Sequence, residues 1–220
     1  FIISRLVDIR FCQNQWALIN VKNLGGVNIN TKENTFIESF RWAIKSKGHS
    51  NHVKKLEKYY LLYIRRQEHI FFNKDWTRKI LEFIVVNAKK DLNCIFVLHP
   101  LASKFLGPEK LNELYNLLGK RLFLVSRLPY IDFMKVMKNA EFAVTDGCTN
   151  QEEAYYMGVP FLALRNRTER VEGIKKNVVI SKGNRKIMKE FFKNYKNYKR
   201  KPVTPREKPS KIIVDYLFKK

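Results

Sequence analysis

Four short apolar runs, at residues 59–64, 94–98, 122–125 and 142–144, constrain this chain more than any other feature, and helix-patterned stretches separate them. None alternates apolar with polar residues, as a strand with one wet face would. A continuous apolar run of this length reads as a strand buried on both faces, which arises when helices cover both sides of a parallel sheet. Between the first two runs, Ile80, Leu81, Ile84 and Val85 fall at helical spacing within a helix expected over about 75–89. Further helices are expected over 108–118 and 131–139. Residues 178–180 read as another strand, 185–192 as a helix, and 210–218 as a last helix. With β-α repeated at least four times, the fold class is α/β: a parallel sheet with helices on both faces.

The chemistry gathers in residues 141–170. A strand ends at Thr145-Asp146-Gly147-Cys148, and a helix opens with Thr149-Asn150-Gln151-Glu152-Glu153. A Gly158-x-Pro160 turn, the apolar run 161–164 and the charged stretch Arg165 to Arg170 follow. Polar residues therefore collect where both strands end, the edge at which open α/β sheets bind ligands. The turn and helix N-terminus point backbone N–H groups at a place where a phosphate could sit. Thr149 and Glu152 have the spacing of a capping box.

Residues 1–45 begin in mid-structure. A short strand is expected around Val7, Ile9 and Phe11, a helix over 15–24, a strand over 28–31 and a helix over 36–47. Because the chain starts at Phe1 rather than Met, it is expected to be part of a longer protein. The polar gap 46–51 reads as a loop, and the basic, proline-punctuated stretch 196–209 as a loose connection.

Composition narrows the function classes. The hydrophobic share of 45% supports a core. No apolar run approaches the ~20 residues of a membrane span. Cys12, Cys94 and Cys148 are too dispersed for a disulfide framework or a zinc site, which fits a reducing cytoplasm. The net charge of +23 favours anionic ligands. Residues 182–220 hold 14 Lys/Arg against 3 Asp/Glu, and the remaining excess is scattered. Nucleic acid is accordingly not the expected partner.

The ordered set Arg66-x-Glu68, His99-Pro100, Leu128-Pro129-Tyr130-x-x-Phe133, Thr145-Asp146, Gln151-Glu152-Glu153, Gly158-x-Pro160 and Arg165-x-x-Thr168-Glu169-Arg170 resembles the UDP-N-acetylglucosamine 2-epimerases. The resemblance runs from about Asp8 to Asn184. It implies the C-terminal, nucleotide-binding half of a two-domain glycosyltransferase-B type fold. Residues 1–45 would then be the end of the first domain and the crossover, 46–195 a Rossmann-like UDP-sugar-binding domain, and 196–220 a basic linker with a returning helix. It further implies a homodimer, no metal and no cofactor.

By this resemblance Phe133 lies against uracil, Glu153 accepts from the ribose hydroxyls, and Gly147, Cys148 and Thr149 offer N–H groups to the diphosphate. Arg170 adds positive charge there, and His99 stands at the ligand edge. Arg66, Glu68, Arg165, Thr168 and Glu169 are supporting residues, although a surface ion-pair cluster describes Arg165, Glu169 and Arg170 as well. The family's reaction eliminates UDP from C1 with loss of the C2 proton and re-adds it on the inverted centre, which requires acid–base groups. Its catalytic carboxylates belong to the N-terminal domain, so the chain as given is expected to bind and not to catalyse.

This chain departs from the family pattern at three places. Gly147-Cys148-Thr149 stands where Ser-Gly-Gly is usual. Arg65 occupies the active-site histidine's position, and an arginine stays protonated and cannot cycle a proton. Glu33 replaces a glycine, and Glu38 an aspartate. Two other readings remain open: a nucleotide-sugar glycosyltransferase of the same architecture, and a polyanion-binding module using the basic tail, whose binding would fall steeply with salt.

Overall fold

The structure, a computed structural model, describes residues 2–48 and 58–218. In chain order the elements are α1 (Ile3–Leu6), β1 (Ile9–Cys12), α2 (Gln15–Val21), β2 (Val27–Asn30), α3 (Phe36–Lys45), β3 (Tyr59–Ile64), a π-helical turn (Glu68–Phe72), α4 (Lys74–Asn87), β4 (Asn93–Leu98) and α5 (Pro100–Leu118). Then come β5 (Leu122–Ser126), α6 (Tyr130–Asn139), β6 (Ala143–Thr145), α7 (Cys148–Met157), β7 (Phe161–Ala163), β8 (Val178–Ile180), α8 (Arg185–Asn194) and α9 (Pro209–Phe218). Of the loop expected at 46–51, residues 49–51 lie outside the described residues. The chain divides into two compact units, Phe1–Ser46 with Thr204–Lys220, and Lys47–Val203.

In the smaller unit β1 and β2 pair in parallel, from Ile9 opposite Val27 to Cys12 opposite Asn30. Asn14 caps the intervening α2, its side-chain oxygen accepting the Ala17 N–H at 2.8 Å. Glu38 of α3 accepts both the backbone N–H and the hydroxyl of Ser210 at the start of α9. That carboxylate satisfies one of α9's orphan donors and complements its positive end. Phe11 meets Tyr216 edge-on, ring centres 6.0 Å apart.

The larger unit is built on a six-stranded parallel sheet of order β5-β4-β3-β6-β7-β8. The chain works outward from β3 to β5, then returns to place β6 on the other side of β3. The β3–β6 boundary is thus the topological switch point, where the connections leave in opposite directions and open a crevice at the strands' C-terminal ends.

All six residues of β3 are buried, as the unalternating run predicts. The edge strand β5 departs from that reading: Leu122 is buried but Leu124 is 42% exposed. An edge strand has less helix cover, so its apolar residues need not all be inside. Beneath the sheet, Phe142 stacks on Tyr60 at 5.1 Å and meets Phe191, Phe192 and Tyr195 at 5.0 to 5.8 Å. Burying such a ring contributes roughly 1.5–3 kcal/mol, so this cluster is a principal anchor of α8.

Two local readings are corrected. No capping box starts α7: Gly147 occupies the cap position without a side-chain bond, and Thr149 is already inside the helix. The Thr145 hydroxyl accepts the Gly147 N–H at 2.8 Å, so the turn is closed from the strand side. Glu152, freed from capping, points inward and pairs with Arg170. Nor is 196–209 wholly loose. A 3₁₀ turn covers Tyr195–Tyr198, and the Arg200 and Val203 N–H groups donate to the carbonyls of Gly158 and Tyr156 at 3.0 and 2.8 Å. Gly158 ends α7 at φ +68°, and a Cβ there would meet the Arg200 carbonyl at 2.1 Å. Only glycine allows both the left-handed conformation and that close passage.

Candidate functional site

Asp146 stands where β6 ends, fully buried, and binds the segment leaving β3. Its carboxylate accepts the backbone N–H groups of Arg65 (3.1 and 3.2 Å) and Arg66 (2.9 Å) and lies 3.0 Å from His69 Nδ1. Hydrogen bonds to an ionised acceptor are the stronger kind, which suits a carboxylate taken wholly out of water. The switch point is therefore stitched across its own gap.

On the β3–β4–β5 side of Asp146 lies a cleft of about 250 Å³. Tyr63 and Val97, near the ends of β3 and β4, form its base. Arg127, Leu128, Tyr130 and Phe133 form one wall, and Thr149, Asn150 and Glu153 of α7 form the other, with Arg65 at the mouth of β3. The Tyr63 and Phe133 rings are 5.0 Å apart and inclined at 58°. Glu153 is 2% exposed; Asn150 Nδ2 donates to its Oε2 at 2.7 Å, and the Tyr130 hydroxyl is also hydrogen-bonded to it. Burial raises the Glu153 pKa, against the pull of Asn150, Tyr130 and the Arg65 charge. Burial and the neighbouring Glu153 likewise push the Tyr130 hydroxyl up.

Helix geometry leaves the first N–H groups of α7 without intrahelical partners. That of Gly147, one step earlier, is spent on Thr145. A Cβ on Gly147 would sit 2.1 Å from Asn150 Oδ1 and 3.3 Å from Arg65 Nε, so glycine there lets both side chains close on the turn. Arg65 Nε is buried with no hydrogen-bond partner among the described residues.

Four of the residues singled out in the sequence thus converge: Arg65, Phe133, Thr149 and Glu153. Gly147 and Cys148 adjoin them in the turn. The others serve elsewhere. His99 Nδ1 accepts the Leu101 N–H at 3.2 Å, capping α5, and its ring centre is 6.4 Å from that of Tyr63. Burial, with the charges of Arg127 and Arg65, lowers the His99 pKa. Arg66 pairs with Glu68, and that hydrogen bond lowers the Glu68 pKa. Arg165 holds Glu169 at 2.7 Å. Burial would raise the Glu169 pKa, but hydrogen bonds from Arg165 and the Cys148 thiol outweigh it and bring it to about 2.

Arg170 is not among the residues lining the cleft. It faces buried Glu152 at 3.3 Å. Arg165 pairs with Glu169, and Arg170 with Glu152 of α7. Gln151 arranges this loop: its amide donates to the carbonyls of Arg170 (3.0 Å) and Glu172 (2.9 Å) and accepts from the Thr168 hydroxyl (2.8 Å).

Arg127, Tyr130, Asn150 and His69 were not singled out by the sequence reading. The first follows directly on a strand end and Tyr130 belongs to the Leu-Pro-Tyr turn, so position could have found them. Asn150 lies between Thr149 and Glu153 at the start of α7, so position could have found it too, whereas His69 carries no such signal. Among the described residues no three His, Cys, Asp or Glu side chains gather as a metal site would require, and no helix is long and apolar enough to cross a membrane.

Comparison with known proteins supplies the wider frame. A family described as UDP-N-acetylglucosamine 2-epimerase matches residues 1–210. A UDP-N-acetylglucosamine 2-epimerase of Methanococcus maripaludis is 30% identical over 162 residues, covering 70% of this chain and 43% of that protein. A homolog of that enzyme from the same organism is 29% identical over 86% of this chain and 54% of its own length. The chain therefore spans about half the length of these relatives. Among solved structures, Methanocaldococcus jannaschii UDP-GlcNAc 2-epimerase in complex with UDP-GlcNAc and UDP superposes with TM-score 0.74 at 24% identity, over 96% of this chain and 61% of that one. The S. aureus MnaA–UDP co-structure gives 0.76 at 22%, over 98% and 60%. At these identities the structural likeness speaks to the fold.

Proposed function

Because this chain belongs to the UDP-N-acetylglucosamine 2-epimerase family, we propose that the cleft beside Asp146 is its UDP subsite. The observation that carries this reading is the buried Glu153 in the second turn of α7, held by Asn150 and Tyr130 and set beside the paired Tyr63 and Phe133 rings. Uracil packs on those rings. The ribose hydroxyls donate to Glu153 alongside Asn150 and Tyr130. The diphosphate takes the N–H groups of the first turn of α7, with Thr149 beside it. Arg65 and Arg127 supply the charge there, in place of Arg170. The bound UDP group of the M. jannaschii and S. aureus structures supports the ligand class.

In the whole protein the reaction is interconversion of UDP-GlcNAc and UDP-ManNAc by elimination and re-addition of UDP. Arg65 stabilises the departing diphosphate and does not move a proton. These 220 residues bind the nucleotide without catalysing, and the whole protein works as a cytoplasmic homodimer. Saturation-transfer NMR with UDP tests the subsite. Uracil H5 and H6 receive the strongest transfer, and Phe133→Leu and Glu153→Gln each weaken it. Transfer unchanged in both variants contradicts the assignment.

A further inference from the structure

On the other side of Asp146 a second pocket, of about 140 Å³, is lined by His69, Asn73, Trp76, Arg165, Asn166 and Gly183. It belongs to the exits of β3, β7 and β8, whereas the cleft belongs to β3, β4 and β5. Arg165 and the Trp76 indole bring donors to it, and the Asn73 and Asn166 amides bring acceptors as well. Asp146 holds Nδ1 of His69, leaving Nε2 as the ring's free edge, which accepts from a phosphoryl O–H when the ring is neutral and donates when it is protonated. The ring is fixed further by Trp76, 5.2 Å away, and by the His69 carbonyl accepting from Thr77 at 2.7 Å. It sits in the π-helical turn, an irregularity that frequently marks functional sites. Around Gly183, the position a Cβ would take lies 3.5 Å from Asn166 Oδ1 and 3.9 Å from the Trp76 indole nitrogen, so a side chain there would intrude on the pocket.

The decisive group is Arg165. One guanidinium nitrogen holds Glu169, while the other, Nη1, is buried with no hydrogen-bond partner among the described residues. A buried donor left unsatisfied is costly, and an acceptor arriving in the pocket would remove that cost. A guanidinium, an oriented imidazole and an indole N–H around a small polar space match a tetrahedral oxyanion. The two carboxylates that face the donors, Glu169 and Asp146, set the limit on affinity. Glu169 already neutralises Arg165 and Asp146 already occupies one nitrogen of His69, so binding is weak and rests on directed hydrogen bonds more than on net charge.

We propose that this pocket is an anion site for a phosphoryl group, held by Arg165 and His69, separate from the UDP cleft and independent of its assignment. The test follows the His69 imidazole by NMR in the chain labelled with ¹⁵N-histidine, titrated with inorganic phosphate and with methyl phosphate at constant pH and ionic strength. The expected result is a saturable shift of His69 that His99 does not share. His69→Asn identifies the resonance while keeping a donor for Asp146. Arg165→Gln weakens binding at least about tenfold, the loss of one charge-assisted bond. Glu169→Gln releases Arg165 and tightens binding, a gain that misfolding cannot produce. Saturation by both ligands marks a site for a phosphoryl group on a larger molecule, and saturation by inorganic phosphate alone marks a site for the free ion. A linear drift common to several histidines, or binding indifferent to both the Arg165 and Glu169 changes, overturns the proposal. UDP titrated separately leaves the two readings distinguishable, because Glu153→Gln affects UDP and not phosphate.

Discussion

The two hollows flanking Asp146 share one support but are made differently. The larger is walled by aromatic rings and carries a desolvated carboxyl, Glu153, whose partners are an amide and a phenol. The smaller gathers a guanidinium, an imidazole and an indole, and holds an arginine nitrogen with no acceptor among the described residues. The first suits a flat, hydroxyl-bearing ligand and the second a compact anion. Sheet topology alone places polar residues at this edge; the side chains at each strand exit decide which chemistry follows.

Removing the shared support gives the largest effect. Asp146→Ala leaves two backbone N–H groups and a histidine without their buried acceptor. It should destabilise the larger unit by about 3–5 kcal/mol in denaturant unfolding. Under conditions where the variant still folds, both UDP and phosphate binding should weaken. Loss at one hollow only would show that Asp146 does not unite them.

Next in size is Gln151→Ala. Three hydrogen bonds from a side chain 1% exposed pin the loop 168–172 to α7, so the variant should lose about 1–3 kcal/mol. Hydrogen exchange should rise in that loop while the sheet stays protected. The two hollows would part company here, since Glu169 lies in the loop and holds Arg165 of the smaller one.

Glu153→Gln sharpens the contrast in pH. A carboxyl whose folded pKa is raised contributes its full stability below the unfolded value, about 4.3, and loses it as pH rises through the folded value. The glutamine variant lacks that loss. It should therefore be more stable than wild type at neutral pH and no more stable near pH 4, while binding UDP about tenfold more weakly. Thermal melts at the two pH values check the sign.

Glu169 behaves oppositely and more weakly. Its pKa, held at about 2, makes a contribution that is present above the unfolded value and fades as pH falls toward 2. In Glu169→Gln the acid limb between those values should flatten. The side chain is half exposed, so the shift should be small and should shrink with salt.

Much of this molecule could be read from residues before any coordinates. β3 and β4 announced themselves because burial on both faces demands an uninterrupted apolar run. Phe133, Thr149 and Glu153 were legible because the motif around each sits at a strand exit or helix start. The misses share a physical cause. Thr149 and Glu152 were assigned to a cap because local spacing permits it, but Thr145, on the preceding strand, took the turn's donor and Arg170 took Glu152. The pairing of Arg170 with Glu152 is hidden likewise, because nothing local reveals a buried partner 18 positions away. His69 was passed over because its meaning comes from Asp146, 77 residues on, and from a π-helical turn with no composition of its own. Pairings across the sheet edge are long-range, and single-chain patterns record only the near ones.

The central claim is that the cleft binds the nucleotide diphosphate through Glu153 on one side and Arg65 on the other. Calorimetric titration with UDP and UMP, for wild type, Glu153→Gln and Arg65→Gln, tests it directly. The account predicts UDP binding tighter than UMP binding and persistent at moderate salt. Glu153→Gln should weaken both ligands alike, and Arg65→Gln should abolish the preference for UDP. Equal affinity for UDP and UMP in wild type, or UDP binding unmoved by either substitution, would contradict it.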